Sequence, residues 1–347
     1  MKIAVLIINI AAVVVIIALV ITLSVQSHIL PEQEANTRWY EVSPTGFSDI
    51  FKKDDTMGIV HYAQVSVFYQ SGVSLDKIYQ MTYDLETATE NYVSTIRGDA
   101  VADSYCTAPT SLKFSSKTDI MTKSATLESY FVGGDFLLFH PYEILSGTFL
   151  SDDTIMHDNA VIDENAAWEL FGSNNVVGKY IFFNDTAINI CGVVRIPNAD
   201  KGYIFLDNEL SQALTGLPAM FNCVEFVLPS PVSGDGLAKV KEKLGISEGN
   251  VSVDKTIRVV ENSSRTSLPA LFDILGNVAE LSLRDDAIIL PAWENRARER
   301  DIRMAIVLFF LCVAAVIPVT TGIVYLIKLY KFIMKKFIIS KRKKGEN

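Results

Sequence analysis

Two uncharged apolar runs, Ile3–Val25 and Met304–Ile327, bracket the chain and set what it can fold into. They hold 23 and 24 residues. A helix rises about 1.5 Å per residue and the hydrocarbon core is about 30 Å thick, so either run is long enough to cross a bilayer. Residues 3–25 and 304–327 are therefore expected as transmembrane helices, with one large body, residues 26–303, between them on one side. A cleaved signal peptide is the rival reading for the first run, but its apolar region would be about 7–15 residues. Ser24-Val25-Gln26-Ser27 also matches a small-residue cleavage site poorly, and an uncleaved anchor is expected.

Lysines orient the spans. After Ile327 come Lys328, Lys331, Lys335, Lys336, Lys341, Arg342, Lys343 and Lys344 against the single acid Glu346. The positive-inside bias puts this tail, residues 328–347, in the cytoplasm. Two spans return residues 1–2 to the same side, giving a two-pass protein of the cell membrane with both termini cytoplasmic. Arg296, Arg298, Arg300 and Arg303 pull the other way, but Glu294, Glu299 and Asp301 are interleaved with them and the tail outnumbers them. The tail also sets Leu329, Phe332, Ile333, Phe337 and Ile338 against its lysines, a pattern suited to an anionic inner leaflet. Pro318 lies inside the second run, where its missing N–H predicts a kink near Ala314.

With Lys2 and the tail set aside, the formal charge of −9 deepens to −17 over the rest of the chain. An exterior this acidic argues against nucleic acid as a partner. Its centre is the stretch Phe131–Val194. There Asn159–Ile162 reads as a strand, and Asp163 as the cap of a helix over Glu164–Phe171 that stops at Gly172. Lys179–Phe183 and Ala187–Val194 read as a hairpin turned at Asn184-Asp185. Before this module, Ile59–Tyr69 reads as a strand and Ser74 as the cap of a long helix to about Val93. Further strand-like runs are Ala102–Thr107, Ser111–Phe114 and Ala125–Val132. After it come Tyr203–Leu206, a strand Asn222–Leu228, a helix Leu237–Leu244 ended by Gly245, a strand Val251–Val260 and a helix Ser267–Leu283. A short helix is also expected within Glu32–Tyr40. Strand–helix–strand before and after gives two related halves, with the central module, about residues 131–206, inserted between them. A stalk helix, about 291–303, should lead into the second span, its exposed face supported by pairs such as Glu294–Arg298 and Glu299–Arg303.

No catalytic, cofactor-binding or metal-binding residue emerges. Gly172-Ser-Asn-Asn-Val-Val-Gly178-Lys179-Tyr180 has five residues between its glycines where a phosphate-binding loop has four, and Tyr180 replaces the magnesium-binding hydroxyl. Asp152-Asp153 and Asp285-Asp286 are adjacent acids with no histidine or third acid near them. His28, His61, His140 and His157 show no metal-ligand spacing. Of the four cysteines, Cys312 is in the second run, while Cys106, Cys191 and Cys223 fall in the exterior body; one disulfide among these three is open.

Several fragments then occur in one order: Val132-Gly133-Gly134-Asp135-Phe136, Leu145-Ser-Gly147-Thr-Phe149, Ala160-Val161-Ile162, Ala167-Trp168-Glu169-Leu170-Phe171-Gly172, Val177-Gly178-Lys179 and Gly192-Val193-Val194. Together they resemble the periplasmic core domain of MacB-type ABC-transporter permeases, in the MacB/FtsX superfamily. The resemblance implies an α/β extracytoplasmic domain between two transmembrane helices: a split, porter-like α/β part with a β-rich, sabre-like insertion. Asn262-Ser-Ser-Arg-Thr-Ser267-Leu268 and Pro291-Ala-Trp293-Glu294-Asn295 resemble segments of permease-like proteins in low-GC Gram-positive bacteria. Family permeases continue with two more spans and a cytoplasmic coupling loop, so this sequence reads as a shortened form.

What the resemblance implies is a non-enzymatic, permease-like subunit of an ABC-type transport or mechanotransmission system. An ABC ATPase and permease subunits are its implied partners, with a homo- or heterodimer open to it. A stand-alone, membrane-anchored binding or sensor module is the alternative, and an exterior envelope-modifying enzyme the third reading.

Overall fold

The computed structural model describes residues 2–34, 62–90, 101–117, 122–150, 157–197, 199–230, 232, 234–246, 256–282 and 288–344. Most of Glu32–Tyr40, Ile59–His61, Val93, Asp152-Asp153, Val251–Lys255, Leu283 and Asp285-Asp286 lie outside these residues.

The chain opens with α1 (Lys2–Glu34), then runs β1 (Tyr62–Val73), α2 (Leu75–Thr89), β2 (Ala102–Thr107), β3 (Thr110–Lys117) and β4 (Thr122–Gly134). A one-turn α3 (Phe136–Phe139) precedes β5 (Glu143–Gly147), β6 (Asn159–Asp163), α4 (Glu164–Phe171), β7 (Tyr180–Phe183), β8 (Thr186–Arg195) and β9 (Tyr203–Asp207). The last third holds α5 (Leu210–Thr215), β10 (Phe221–Pro229), α6 (Asp235–Lys243), β11 (Ile257–Glu261), α7 (Leu268–Ser282) and α8 (Ala292–Lys344). The expected elements that fall within the described residues are present, with ends moved by a few residues; α3, β5 and α5 are additions, the last a short helix whose Leu210 and Leu214 are buried.

The chain divides into two compact units. One comprises Met1–Ile29, Ser267–Ser282 and Glu299–Asn347. Its two long helices contain stretches long and apolar enough to cross a membrane, and most of their large apolar side chains are exposed. A polar contact joins the two: Thr321 donates its hydroxyl to Asn9 Oδ1 at 2.7 Å. α8 runs as one helix through Pro318; Thr320 bonds back toward the carbonyls of Val316 and Ile317, and Ile317 O at 3.0 Å is the competing acceptor for the single hydroxyl hydrogen of Thr321.

The other unit, Leu30–Thr266 with Leu283–Arg298, carries the sheet. Its eleven strands follow the order β11-β1-β10-β2-β4-β3-β7-β8-β6-β9, with β5 on β8. β9 also pairs in parallel with β4 through Glu128–Val132, so β4, β3, β7, β8, β6 and β9 close into a ring. This ring therefore enlists β3 and β4, which begin before Phe131. Phe114, Leu127, Ile181, Ile188, Ile190 and Ile204 fill its core, and α4 adds Ala166, Ala167 and Leu170. α4 is set as its sequence dictates: Asp163 accepts from Ala166 N and Asn165 N, and Gly172 ends the helix at φ 71°.

The two halves read from the sequence are β1-α2-β2 and β10-α6-β11, and their strands interleave: β1 lies between β11 and β10, and β10 between β1 and β2. Ser74 is extended at the head of α2 but makes no side-chain cap bond. Burial of Ile78, Met81 and Leu85 holds that helix instead, at about 1.5–3 kcal/mol for each side chain.

Candidate functional site

The first turns of α8 were expected to be an exposed stalk. In the structure Trp293, Glu294 and Ala297 are buried. Trp293 enters an aromatic cluster whose ring centroids lie 4.5 Å from His140, 5.3 Å from Tyr130 and 5.8 Å from Phe136. Glu294 does not turn to Arg298. Its Oε1 and Oε2 accept from Arg265 Nη2 and Nη1, both at 2.7 Å, a two-pronged pair with side chains 1% and 6% exposed. Glu299 and Arg303 do form the expected i,i+4 pair, on the exposed surface.

From this pair a line of polar groups runs through the interior. Arg265 Nη1 also donates to Asn262 Oδ1 at 3.0 Å, and Asn262 Nδ2 donates to Ser66 Oγ at 2.7 Å. Ser66 Oγ donates to Glu225 Oε1 at 2.6 Å, and Glu225 Oε2 lies 2.6 Å from His140 Nε2. Those two atoms approach without hydrogen-bond alignment, and among the described residues His140 Nδ1 has no hydrogen-bond partner. The line ties β1, β10, the loop after β11 and the head of α8 together. A buried charge costs several kcal/mol unless paired and hydrogen-bonded, so each group here holds the next in place. Neighbouring tyrosines feel the same dry surroundings: burial pushes the Tyr142 and Tyr130 hydroxyls well above their ordinary range.

Sequence reasoning missed this site. Gln64 and Ser66 alternate with Val65 and Val67 as though β1 had a wet face, yet all four are buried. One signal was available: Asn262–Leu268 and Pro291–Asn295, the two segments set apart by resemblance, are the ones that Arg265 and Glu294 join.

The other groups weighed in the sequence are spread out. In the Gly172–Tyr180 segment the backbone N–H of Gly178 donates to Ile190 O at 2.8 Å and that of Lys179 to Val176 O at 3.0 Å, so neither is aimed at an anion. Lys179 Nζ sits 5.3 Å over the Phe171 ring. His157 pairs with Asp207 at 2.9 Å and Glu209 at 3.4 Å. Among the described residues no cluster of three or more His, Cys, Asp or Glu side chains is placed to hold a metal ion. All four cysteines are free thiols. Cys106 and Cys223 are register partners on β2 and β10, whereas Cys191 lies on β8, donating to Ala160 O at 3.4 Å, its thiol raised by burial to about 11.

A cleft of about 330 Å³ opens where β1 ends, lined by Tyr69, Ser71, Lys77, Lys243 and Thr256 among others.

Residues 3–244 match the family of MacB-like periplasmic core domains. A macrolide export ATP-binding/permease protein MacB from Shewanella sp. (strain ANA-3) is 34% identical over 208 residues, 53% of this chain and 31% of that protein. MacB from Shewanella oneidensis is 30% identical over 208 residues, again 53% and 31%. The chain thus spans about a third of the length of these relatives. Among solved structures, the periplasmic region of MacB from Actinobacillus actinomycetemcomitans is 15% identical with a TM-score of 0.42, covering 64% of this chain and 94% of that one. With 242 of its 347 residues matched, the chain belongs to the MacB-like periplasmic core domain family.

Proposed function

We propose that the chain is a non-enzymatic, permease-like subunit of an ABC-type transport or mechanotransmission system. It works in the cell membrane with both termini cytoplasmic and residues 26–303 outside. An ABC ATPase and permease subunits are its partners, and its exterior body meets substrate or envelope protein. The porter-like part corresponds to the interleaved halves, and the sabre-like insertion to the closed ring. Family membership supports the system; the contact from Thr321 to Asn9 supports the topology. Asn9 lies six residues into the first apolar run and Thr321 six residues before the end of the second. At about 1.5 Å per residue both sit roughly 9 Å from the terminal side of their runs, which suits antiparallel spans.

The observation that carries the mechanism is the seat of α8. Trp293 and Glu294 fix its head inside the sheet-bearing unit, and the same helix continues without a break to Lys344. A stiff helix clamped at its head transmits movement in the membrane to the body it is clamped in. The test is capture of the full chain from its native membranes in mild detergent, expecting an ABC ATPase to co-purify. Two glycines inserted after Arg298 cost about 1 kcal/mol of helix stability each. That variant should keep the native tryptophan fluorescence of the chain and its partners yet lose chain-dependent nucleotide turnover. Undiminished turnover would exclude the lever, and a capture free of ATPase would exclude the ABC system.

The cleft beside Lys77 and Lys243 favours a second reading, a membrane-anchored binding or sensor module. Its volume is at the lower end of ligand pockets, about 300–1,000 Å³. Saturable binding of a soluble anion, lost in Lys77→Ala and Lys243→Ala, with no ATPase captured, would favour it over the first.

A further inference from the structure

Cys106 and Cys223 are 117 positions apart in sequence and face each other directly across the β2–β10 ladder. Directly opposed residues of an antiparallel pair have Cα atoms about 4.5–5.5 Å apart and side chains on one face. Disulfides need about 4.4–6.8 Å, a range that directly opposed ladder partners meet, and Cys223 follows the register shift at Phe221 in this ladder. Both thiols are free and 1% exposed. They sit in a row across the sheet, with Phe68 on β1 opposite Cys223 and Val132 on β4 opposite Cys106. All four side chains belong to the aromatic core that receives Trp293. We propose that Cys106 and Cys223 are a disulfide-forming site, and that the bond staples the seam where β2 meets β10.

The seam matters because β2 is where the two parts of the sheet meet. β10 and β1 lie on one side of it, while on the other it pairs with β4, a member of the ring. Glu225, which belongs to the polar line, stands two residues from Cys223 on the same face.

The chemistry balances with an oxidant of the disulfide class. One cysteine thiolate attacks the oxidant's disulfide, forming a mixed disulfide and releasing one oxidant thiol. The second cysteine then attacks the protein sulfur of that mixed disulfide and releases the other oxidant thiol. Two protein S–H bonds break and one S–S bond forms, and the two electrons and two protons leave on the oxidant. The thiolate is the nucleophile in both steps. Burial, with the Cys106 thiol and the carboxylates of Glu225 and Glu294 nearby, holds the Cys223 thiol well above its ordinary value. The native fold thus protects the pair, and closure takes place when the seam is open, during folding or under mild destabilisation.

The test uses the full chain in detergent with oxidised glutathione, refolded from partly denaturing urea, then denatured and alkylated with N-ethylmaleimide. Non-reducing digestion and mass spectrometry should recover a peptide linking Cys106 to Cys223, with Cys191 and Cys312 alkylated. The oxidised protein should unfold at higher urea than the reduced protein. Cys106→Ala and Cys223→Ala should each abolish both the linked peptide and the shift, while Cys191→Ala keeps both. Recovery of Cys106 and Cys223 as separate alkylated or glutathionylated peptides after refolding would overturn the proposal. A bridge from either one to Cys191 would do the same.

Discussion

Arg265 and Glu294 face each other across two 2.7 Å hydrogen bonds in the protein interior, and through them the loop after β11 holds the head of α8. Removing one partner leaves an uncompensated buried charge, which costs about 3–5 kcal/mol, whereas replacing both with apolar groups of similar volume is often neutral. Glu294→Ala and Arg265→Ala should each lower the thermal midpoint strongly in detergent. The double change Arg265→Met/Glu294→Leu should recover most of the loss. Trp293, the adjacent residue, reports unfolding by fluorescence in a chain whose Trp39 and Trp168 are replaced by Phe. Equal losses in the single and double variants would show that the pair is not the source.

Asp163 gives the fold a dependence on pH. Burial raises its carboxyl from 3.8 to about 6, against the lowering effect of hydrogen bonds from Tyr203 N, Ala166 N and Asn165 N. The folded state therefore holds this proton more tightly than the unfolded chain does. The contribution to stability is fully present below about pH 4 and is lost as pH rises through 6. At about 1.36 kcal/mol per unit, the swing is at most about 3 kcal/mol. Asp163→Asn should flatten this part of the profile in urea titrations between pH 4 and 7. A slope unchanged by that substitution would assign the dependence to other groups.

Where β5 crosses β8, two backbones touch. A Cβ on Gly192 would come 2.0 Å from Thr148 O, and one on Gly147 2.1 Å from Cys191 O with φ at +74°. Neither neighbour can step aside without moving a strand. Gly192→Ala and Gly147→Ala should each destabilise the domain by more than about 2 kcal/mol. Gly178→Ala is the contrast, since nothing lies within 4 Å of its Cβ position and only its φ of +80° opposes the change. Midpoints that fall equally in all three would remove the steric argument.

Thr321 and Asn9 make a polar bond between the two long apolar helices. Such bonds are worth about 0.6 kcal/mol on average in membranes. Thr321→Val should therefore leave expression intact and loosen the pairing of engineered cysteines on the two helices. Cross-linking that keeps its wild-type pattern and rate would show that the bond is incidental.

Topology has its own measurement. A membrane-impermeant thiol reagent on whole cells should label a cysteine placed at Asp185, in the exposed β7–β8 turn, and miss one placed at Gly345 in the tail beyond the described residues. Labelling of Gly345 would reverse the orientation.

Local rules were the legible part. Asp163, Gly172 and the Asn184-Asp185 turn, with Asn184 at φ 51°, each act within a few residues, and their helix and hairpin lie where the sequence puts them. The two apolar runs are legible for the same reason, since length and lack of charge need no partner. The candidate site was not. Ser66, Glu225, Asn262 and Arg265 become one line only when strands 150 or more residues apart are laid side by side. Glu294 was misread because a helical acid with an arginine four residues on looks like surface support. Only the burial of that face reveals a different partner.

The position of β1 also dictates an order of events. Its ladder partners are β10 and β11, and the first residue of β10 is Phe221. A ribosome adding about 5–20 residues per second takes on the order of ten seconds to go from β1 to β10. Within that interval the ring can close, because each of its strands lies within Thr110–Asp207, while β1 waits with both edges open. Its middle, Val65-Ser66-Val67-Phe68-Tyr69, is uncharged and rich in β-branched and aromatic residues, the composition that seeks foreign strand edges. A chain interrupted between Asp207 and Phe221 is thus left with a complete set of ring strands and an unclaimed β1.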